Sequence, residues 1–176
     1  SYSGRVAGET LAGIEMPHPF VLLGPNHRGL GEPAAVMASG SWQMPNGPVE
    51  INSSLAQVVM AGSGLLREDE QAHSMEHSLE VQLPFIQVLA REFQIVPIVF
   101  KSLDLKACQK IGTSIARAVR WASPLSITLL ASTDFTHYQP QKVAEEQDRL
   151  AIDQILALDA EGLYQTVQRH RISMCG

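Results

Sequence analysis

Three short runs are apolar on both of their faces: "FVLLG" (Phe20 to Gly24), "IVPIVF" (Ile95 to Phe100) and "SITLLAS" (Ser126 to Ser132). A strand can bury both faces only inside a sheet that is covered on each side, so these runs predict a largely parallel sheet flanked by helices. The segments between them carry helical periodicity. One stripe runs Met75, Leu79, Leu83, Ile86, Leu89 and Phe93, a second runs Cys108, Ile111, Ile115, Ala118 and Val119, and a third runs from Val143 through Ile152, Ile155 and Leu156. Strand and helix alternate, which is the α/β pattern. Pro84 interrupts the first stripe and predicts either a kink or a turn ending near Leu83 with a new helix beginning at Pro84. "SGSWQMPNGPVEI" (Ser39 to Ile51) reads as a hairpin-like excursion around "PNG", and Asn52 or Ser53 is placed to cap the helix that follows.

The chain has 176 residues, 45% of them hydrophobic, which suffices for one well-filled core; no repeat, low-complexity tract or linker divides it. The expectation is a single domain over 1–176 whose two ends both look cut. Charged residues make up 18% and the net charge is -5, with no cluster of Lys and Arg. Nucleic-acid backbones and anionic membranes are therefore poor partners, and a small-molecule substrate or a peptide fits better. No apolar run approaches the roughly 20 residues that span a bilayer, and nothing resembles a signal peptide, so the expected compartment is cytoplasmic. Cys108 and Cys175 lie far apart and form neither a CxxC pair nor a disulfide framework; if either matters, it acts as a thiolate.

In open parallel sheets, ligands gather at the carboxyl ends of strands. Directly after the first run "GPNHRG" delivers His27, and after the third "STDFTHY" delivers Asp134 and His137 to the same edge. His77, in "EHSLEVQLPF", is flanked by Glu76 and Glu80, and a carboxylate that takes one ring N–H of a metal-bound histidine is a common supporting arrangement. The overlapping "HSMEH" (His73 to His77) also fits H-x-x-E-H, the helical zinc motif of an inverted metalloprotease, which keeps a metal-dependent hydrolase in view. That motif still needs a third ligand, and no downstream Glu is singled out by context. Cys175 taken alone reads as a small buried apolar residue.

Read together, "SYSGRVAGE", "LLGPNH", "SGSWQMPNGPVEI", "EHSLEVQLPF", "STDFTHY" and the closing "MCG" resemble the successive motifs of the Memo family, in order over the whole chain. The resemblance implies the fold of the class III extradiol dioxygenases, which use non-haem iron held by two histidines and a carboxylate. It assigns metal binding to His27, His77 and Cys175, and an acid/base role to His137 with Asp134 beside it. His73 would then be at most an outer neighbour of the metal. Cys175 stands where the dioxygenases have a glutamate, and a thiolate widens the metal choice from iron to copper, with zinc a third option. The function so implied is redox or oxygen-linked chemistry on a small molecule, with a link to radical-SAM proteins, which prokaryotic members often accompany. The alternative is a non-catalytic module that binds a peptide or ligand in the same cleft. Because Cys175 is the penultimate residue, fraying is expected to leave two imidazoles alone, and the chain as given to bind metal poorly or hold only water.

Overall fold

The computed structural model describes residues 3–15, 18–90, 92–122 and 127–175. In chain order the elements are α1 (Gly4–Ala12), β1 (Phe20–Pro25), β2 (Ala34–Val36), the hairpin β3 (Ser41–Met44) and β4 (Gly47–Ile51), and α2 (Ser53–Ser63). There follow the short β5 (Arg67–Glu68), a 3-10 turn at Glu80–Gln82 that runs into α3 (Leu83–Leu89), and β6 (Gln94–Phe100). The last four are α4 (Leu105–Trp121), β7 (Thr128–Ala131), α5 (Gln141–Leu156) and α6 (Ala160–His170). All three runs are strands, but only the first two are buried on both faces: β7, at the end of the sheet path, has no fully buried residue and Leu129 is 51% exposed, because one face of an end strand is left uncovered; Ser126, the first residue expected for it, lies outside the described residues.

The seven strands form one mixed, mostly parallel sheet with the path β3-β4-β6-β1-β7. β1 lies between β6 and β7 and is parallel to both, so Leu23 is level with Ile98 and with Ala131. β2 runs antiparallel beside the far end of β6 and carries β5 at its other edge. Alternation along β1 and β6 splits the core in two. Val21, Val96 and Ile98 face α2 and α4 through Leu55, Val59, Ile111 and Ile115, whereas Phe20, Leu22, Ile95 and Val99 face Leu11 of α1 and Leu83 and Ile86 of α3. The central strands therefore have no solvent face. This is why their sequence lacks the polar alternation of a half-exposed strand.

Side-chain caps start the helices where the sequence supplies them. Asn52 accepts from Leu55 N at the head of α2, Asp104 from Ala107 N at α4, and Asp159 from Gly162 N at α6. The hairpin turns tightly at Pro45 and Asn46, with Trp42 opposite Val49. α5 fills the span of the third stripe, but its only buried residue is Ala151, and Ile155 and Leu156 remain exposed.

The Met75 to Phe93 stripe takes the second of its two expected forms, a 3-10 turn at Glu80–Gln82 followed by a new helix from Leu83 with Pro84 in its first turn; the helical spacing before it is not realised, since residues 71–75 form turns and Glu76 and His77 are irregular. Leu79, Leu83 and Ile86 are buried as the stripe requires, yet Met75 is exposed. A side chain is the cause: the Glu76 carboxylate accepts from the N–H groups of His77 and Ser78, which competes with helical pairing. His73 and His77 consequently do not share a helix face, and the inverted-protease geometry is not formed.

The same turn presses on the end of β1. A Cβ built on Gly24 would sit 2.7 Å from Leu79 Cδ2 and 3.0 Å from Ser78 Oγ, so only glycine lets the 76–79 segment approach the strand this closely.

Candidate metal centre at the strand ends

The loop after β1 is shaped by Asn26, whose backbone N–H reaches Phe100 O on β6 and whose side chain bonds both Leu30 O (2.7 Å) and Gly29 N (2.9 Å). Gly29 and Gly31 supply the left-handed positions, with φ of 65° and 66°. His27 projects from this turn and meets Glu76. Glu76 Oε1 accepts from His27 Nδ1, His77 N and Ser78 N, each at 2.9 Å, while Oε2 accepts from His27 N. The carboxylate side chain is only 2% exposed. Burial works against its ionisation, but bonds from the His27 ring and from the backbone of Ser78, His27 and His77 outweigh it and bring its pKa down to about 2.

Because an ionised carboxylate can only accept, the proton on this hydrogen bond belongs to His27 Nδ1, and the lone pair of the neutral ring falls to Nε2. His77 stacks on His27 with centroids 5.1 Å apart and planes 18° from parallel. His27, Glu76 and His77 offer ligand atoms all within 4.8 Å of one another. Glu76, however, already receives four N–H groups. It is better suited to orient His27 than to bind an ion itself.

A second cluster stands after β7. Asp134 Oδ1 accepts from Cys175 Sγ at 2.8 Å, and Asp134 Oδ2 lies 2.8 Å from His137 Nε2. The other ring nitrogen, Nδ1, bonds the Ser173 carbonyl. With an acceptor beside each nitrogen, both ring protons of His137 have partners, which favours the protonated ring. The Ser173 carbonyl first, and Asp134 second, raise its pKa above the ordinary histidine value. Asp134 is lowered: burial opposes the shift, and the bonds from Cys175 and His137 overcome it. Burial, then the hydrogen bond to Asp134, pushes the Cys175 thiol up, and burial beside the Asp104 charge does the same for Cys108. Both cysteines are thiols at neutral pH; Cys175 would have to lose its proton to act as a thiolate.

The C-terminal stretch is held in place. Thr133 Oγ1 bonds the Cys175 carbonyl, His137 N donates to Ser173 Oγ at 2.8 Å, and Ile172 is buried. The expected fraying at Cys175 is thus countered by contacts to the loop after β7, and Gly176 lies outside the described residues.

His27 and His77 stand together, as do Asp134, His137 and Cys175, but the three residues assigned to the metal do not gather as one group within 4.8 Å. The two clusters are coupled through serines. Ser132 Oγ donates to Ser78 O (2.7 Å) and accepts from Gln82 Nε2 (2.9 Å), and Ser78 Oγ donates to Pro25 O (2.9 Å). These serines and Gln82 were not foreseen from the sequence, where nothing distinguishes them from surface polar residues. His73, at most an outer neighbour of the metal in the sequence reading, is buried against Trp42.

Among the described residues no helix is long and apolar enough to cross a membrane. A family model described as Memo-like protein matches residues 1–176. A MEMO1 family protein of Methanopyrus kandleri is 41% identical over 179 residues, covering 99% of this chain and 63% of its own length. A MEMO1 family protein of Pyrobaculum arsenaticum is likewise 41% identical, with the same two coverages, and one of Aquifex aeolicus is 39% identical over 99% of this chain and 64% of its own. The chain thus spans about 63% of the length of these curated relatives. The match over its full extent, at that identity, makes this chain a member of the Memo-like family.

Proposed function

We propose that the strand-end edge is a transition-metal centre, with His27 and His77 as imidazole ligands and Cys175 as the anionic one, serving oxygen-linked redox chemistry on a small organic molecule. The observation that carries this is the grip of Glu76 on His27 Nδ1, which makes Nε2 the ring's available ligand atom beside a second, stacked imidazole. Imidazole pairs whose outer nitrogen meets a carboxylate are the usual form of a built metal site. The donor set fits iron or copper, with zinc accepted on chemistry alone. When bound, such a metal would supply the electron transfer or the electrophile that organic side chains lack.

The remaining roles fall to the second cluster. Asp134 Oδ1, 2.8 Å from Cys175 Sγ, is the nearest acceptor for the thiol proton when the residue becomes a ligand. His137, fixed by Ser173 and with its protonated form favoured, is suited to give a proton to a substrate oxygen and then to be restored through Asp134. A reducing, cytoplasmic setting would keep Cys175 available as a thiol. A functional link to radical-SAM proteins, and the choice between a small substrate and a peptide, belong to the same proposal. The test is metal content after anaerobic purification of the full-length protein. Near-stoichiometric iron or copper that disappears in His27→Ala and His77→Ala, with consumption of O₂ abolished by chelator, is expected. Metal retained in both variants would overturn the assignment, and ligand binding unaffected by chelator would favour a non-catalytic binding module.

A further inference from the structure

The imidazole pair and the thiol ride on different segments. Glu76 ties His27, just past β1, to the turn that carries His77, whereas Asp134, His137 and Cys175 belong to the loop after β7 and to the chain end bonded to it. The ladder between β1 and β7 ends at Leu23 and Ala131, with one further backbone bond from Ser132 N to Leu23 O at 2.7 Å. Past that point sheet pairing no longer fixes how the loop stands against the turn. Among the described residues, the two hydrogen bonds that run from the end of β7 to residues 78–82 both use one group, the Ser132 hydroxyl, which donates to Ser78 O at 2.7 Å and accepts from Gln82 Nε2 at 2.9 Å. With a donor already on its oxygen, the hydroxyl keeps its own hydrogen aimed at the carbonyl.

Ser78 carries the constraint onward. It is buried, its N–H is held by Glu76 Oε1, and its own hydroxyl donates to Pro25 O at 2.9 Å, two residues before His27. Ser132 thus stands two residues from Asp134, and the carbonyl it grips belongs to the neighbour of His77. Resting on the metal centre proposed above, we propose that Ser132 is a positioning residue, whose hydroxyl holds the base of the Asp134 loop in register with the histidine turn so that one ion can take His27, His77 and Cys175 together. The three assigned ligands do not gather within 4.8 Å, so their union depends on how loop and turn are held relative to each other. Metal–ligand distances tolerate only about 0.2 Å of error, and groups that support ligands without touching the ion are worth about 10–100-fold in affinity.

The test loads the full-length protein with cobalt(II) under anaerobic conditions, because a thiolate on cobalt gives a charge-transfer absorption that imidazoles alone do not. The parent should show this band, and Cys175→Ser should lose it. Ser132→Ala should lose most of the band per bound cobalt and bind cobalt about tenfold more weakly, and Ser132→Thr, which keeps the hydroxyl, should restore both. Gln82→Ala, which leaves the hydroxyl but removes the donor that orients it, should move the band in the same direction by less. Ser114→Ala is the structural control: it deletes a buried hydroxyl that donates to Val59 O where α4 packs on α2, so it should lower the urea midpoint and leave the band at the parent value. A parent-like band in Ser132→Ala, or in Gln82→Ala should Ser132→Ala not fold, would overturn the proposal, as would equal loss of the band in Ser114→Ala. A parent without the band, or a band that survives Cys175→Ser, would instead overturn the metal centre itself and this role with it.

Discussion

The two histidine–carboxylate clusters use the same residue types to opposite ends. Glu76 is 2% exposed and spends its oxygens on the backbone of three residues from two distant segments, so its first task is to join the end of β1 to the 76–78 turn. Asp134 is 48% exposed and bonds a thiol and an imidazole, both of which can change protonation state. A carboxylate saturated by backbone amides is a fastener. One that faces titratable groups is available for chemistry.

The largest expected effect tests that division through stability. Glu76→Ala leaves three backbone N–H groups and a ring N–H without their acceptor and should cost about 3–5 kcal/mol in urea unfolding. Asp134→Ala should cost less than about 1 kcal/mol, because its partners reach water. Equal losses would erase the distinction.

Acid unfolding sharpens it next. The folded pKa of Glu76 lies near 2, below the ordinary 4.5, so its contribution is complete above about pH 4.5 and should be lost as the pH falls toward 2. His73 acts in an earlier window. Its folded pKa is about 4 against 6.5 unfolded, so the unfolded chain gains a proton the folded ring refuses, and stability should decline from pH 6.5 toward 4. Unfolding curves measured across pH should lose the lower window in Glu76→Gln and the upper one in His73→Phe.

A smaller effect should appear at the exposed cluster. His137 is raised, so its contribution is complete below pH 6.5 and lost as the pH climbs through the folded value. NMR titration should place that value above 6.5 in the parent and lower it in Asp134→Asn; no change would mean that Asp134 does not act on the ring. Smallest of all, Asp134→Asn should lower the Cys175 pKa and speed its alkylation by iodoacetamide roughly threefold at pH 8. A slower reaction would show the aspartate activating the thiol rather than restraining it.

The parts that were legible in the sequence were those written locally. Phe20 to Gly24 and Ile95 to Phe100 declare buried strands by lacking a polar face, and Asn52 marks a helix start by its position. β2 and β5 escaped because three and two residues are too few for a period to register. The 71–82 segment misled because its apolar spacing suits a helix while one side chain, Glu76, diverts the backbone. At the site, His27, His77, Asp134 and His137 were indicated by their place after strands or in motifs. The pairing of Cys175 with Asp134 and the Ser78–Ser132 link join residues far apart in the chain, and no local pattern encodes such contacts. The burial of His73 behind Trp42 was hidden for the same reason.

Gly24 has a further meaning. The stacking distance between His27 and His77 is set by the closeness of two chain segments, and that closeness exists because one methyl group is missing from β1. A Gly24→Ala change would touch neither ring, yet it would wedge Leu79 and Ser78 away from the strand and move His77 with them. The spacing of the two imidazoles is therefore inherited through a position that carries no functional group, and the gauge of the pair is a residue defined by what it lacks.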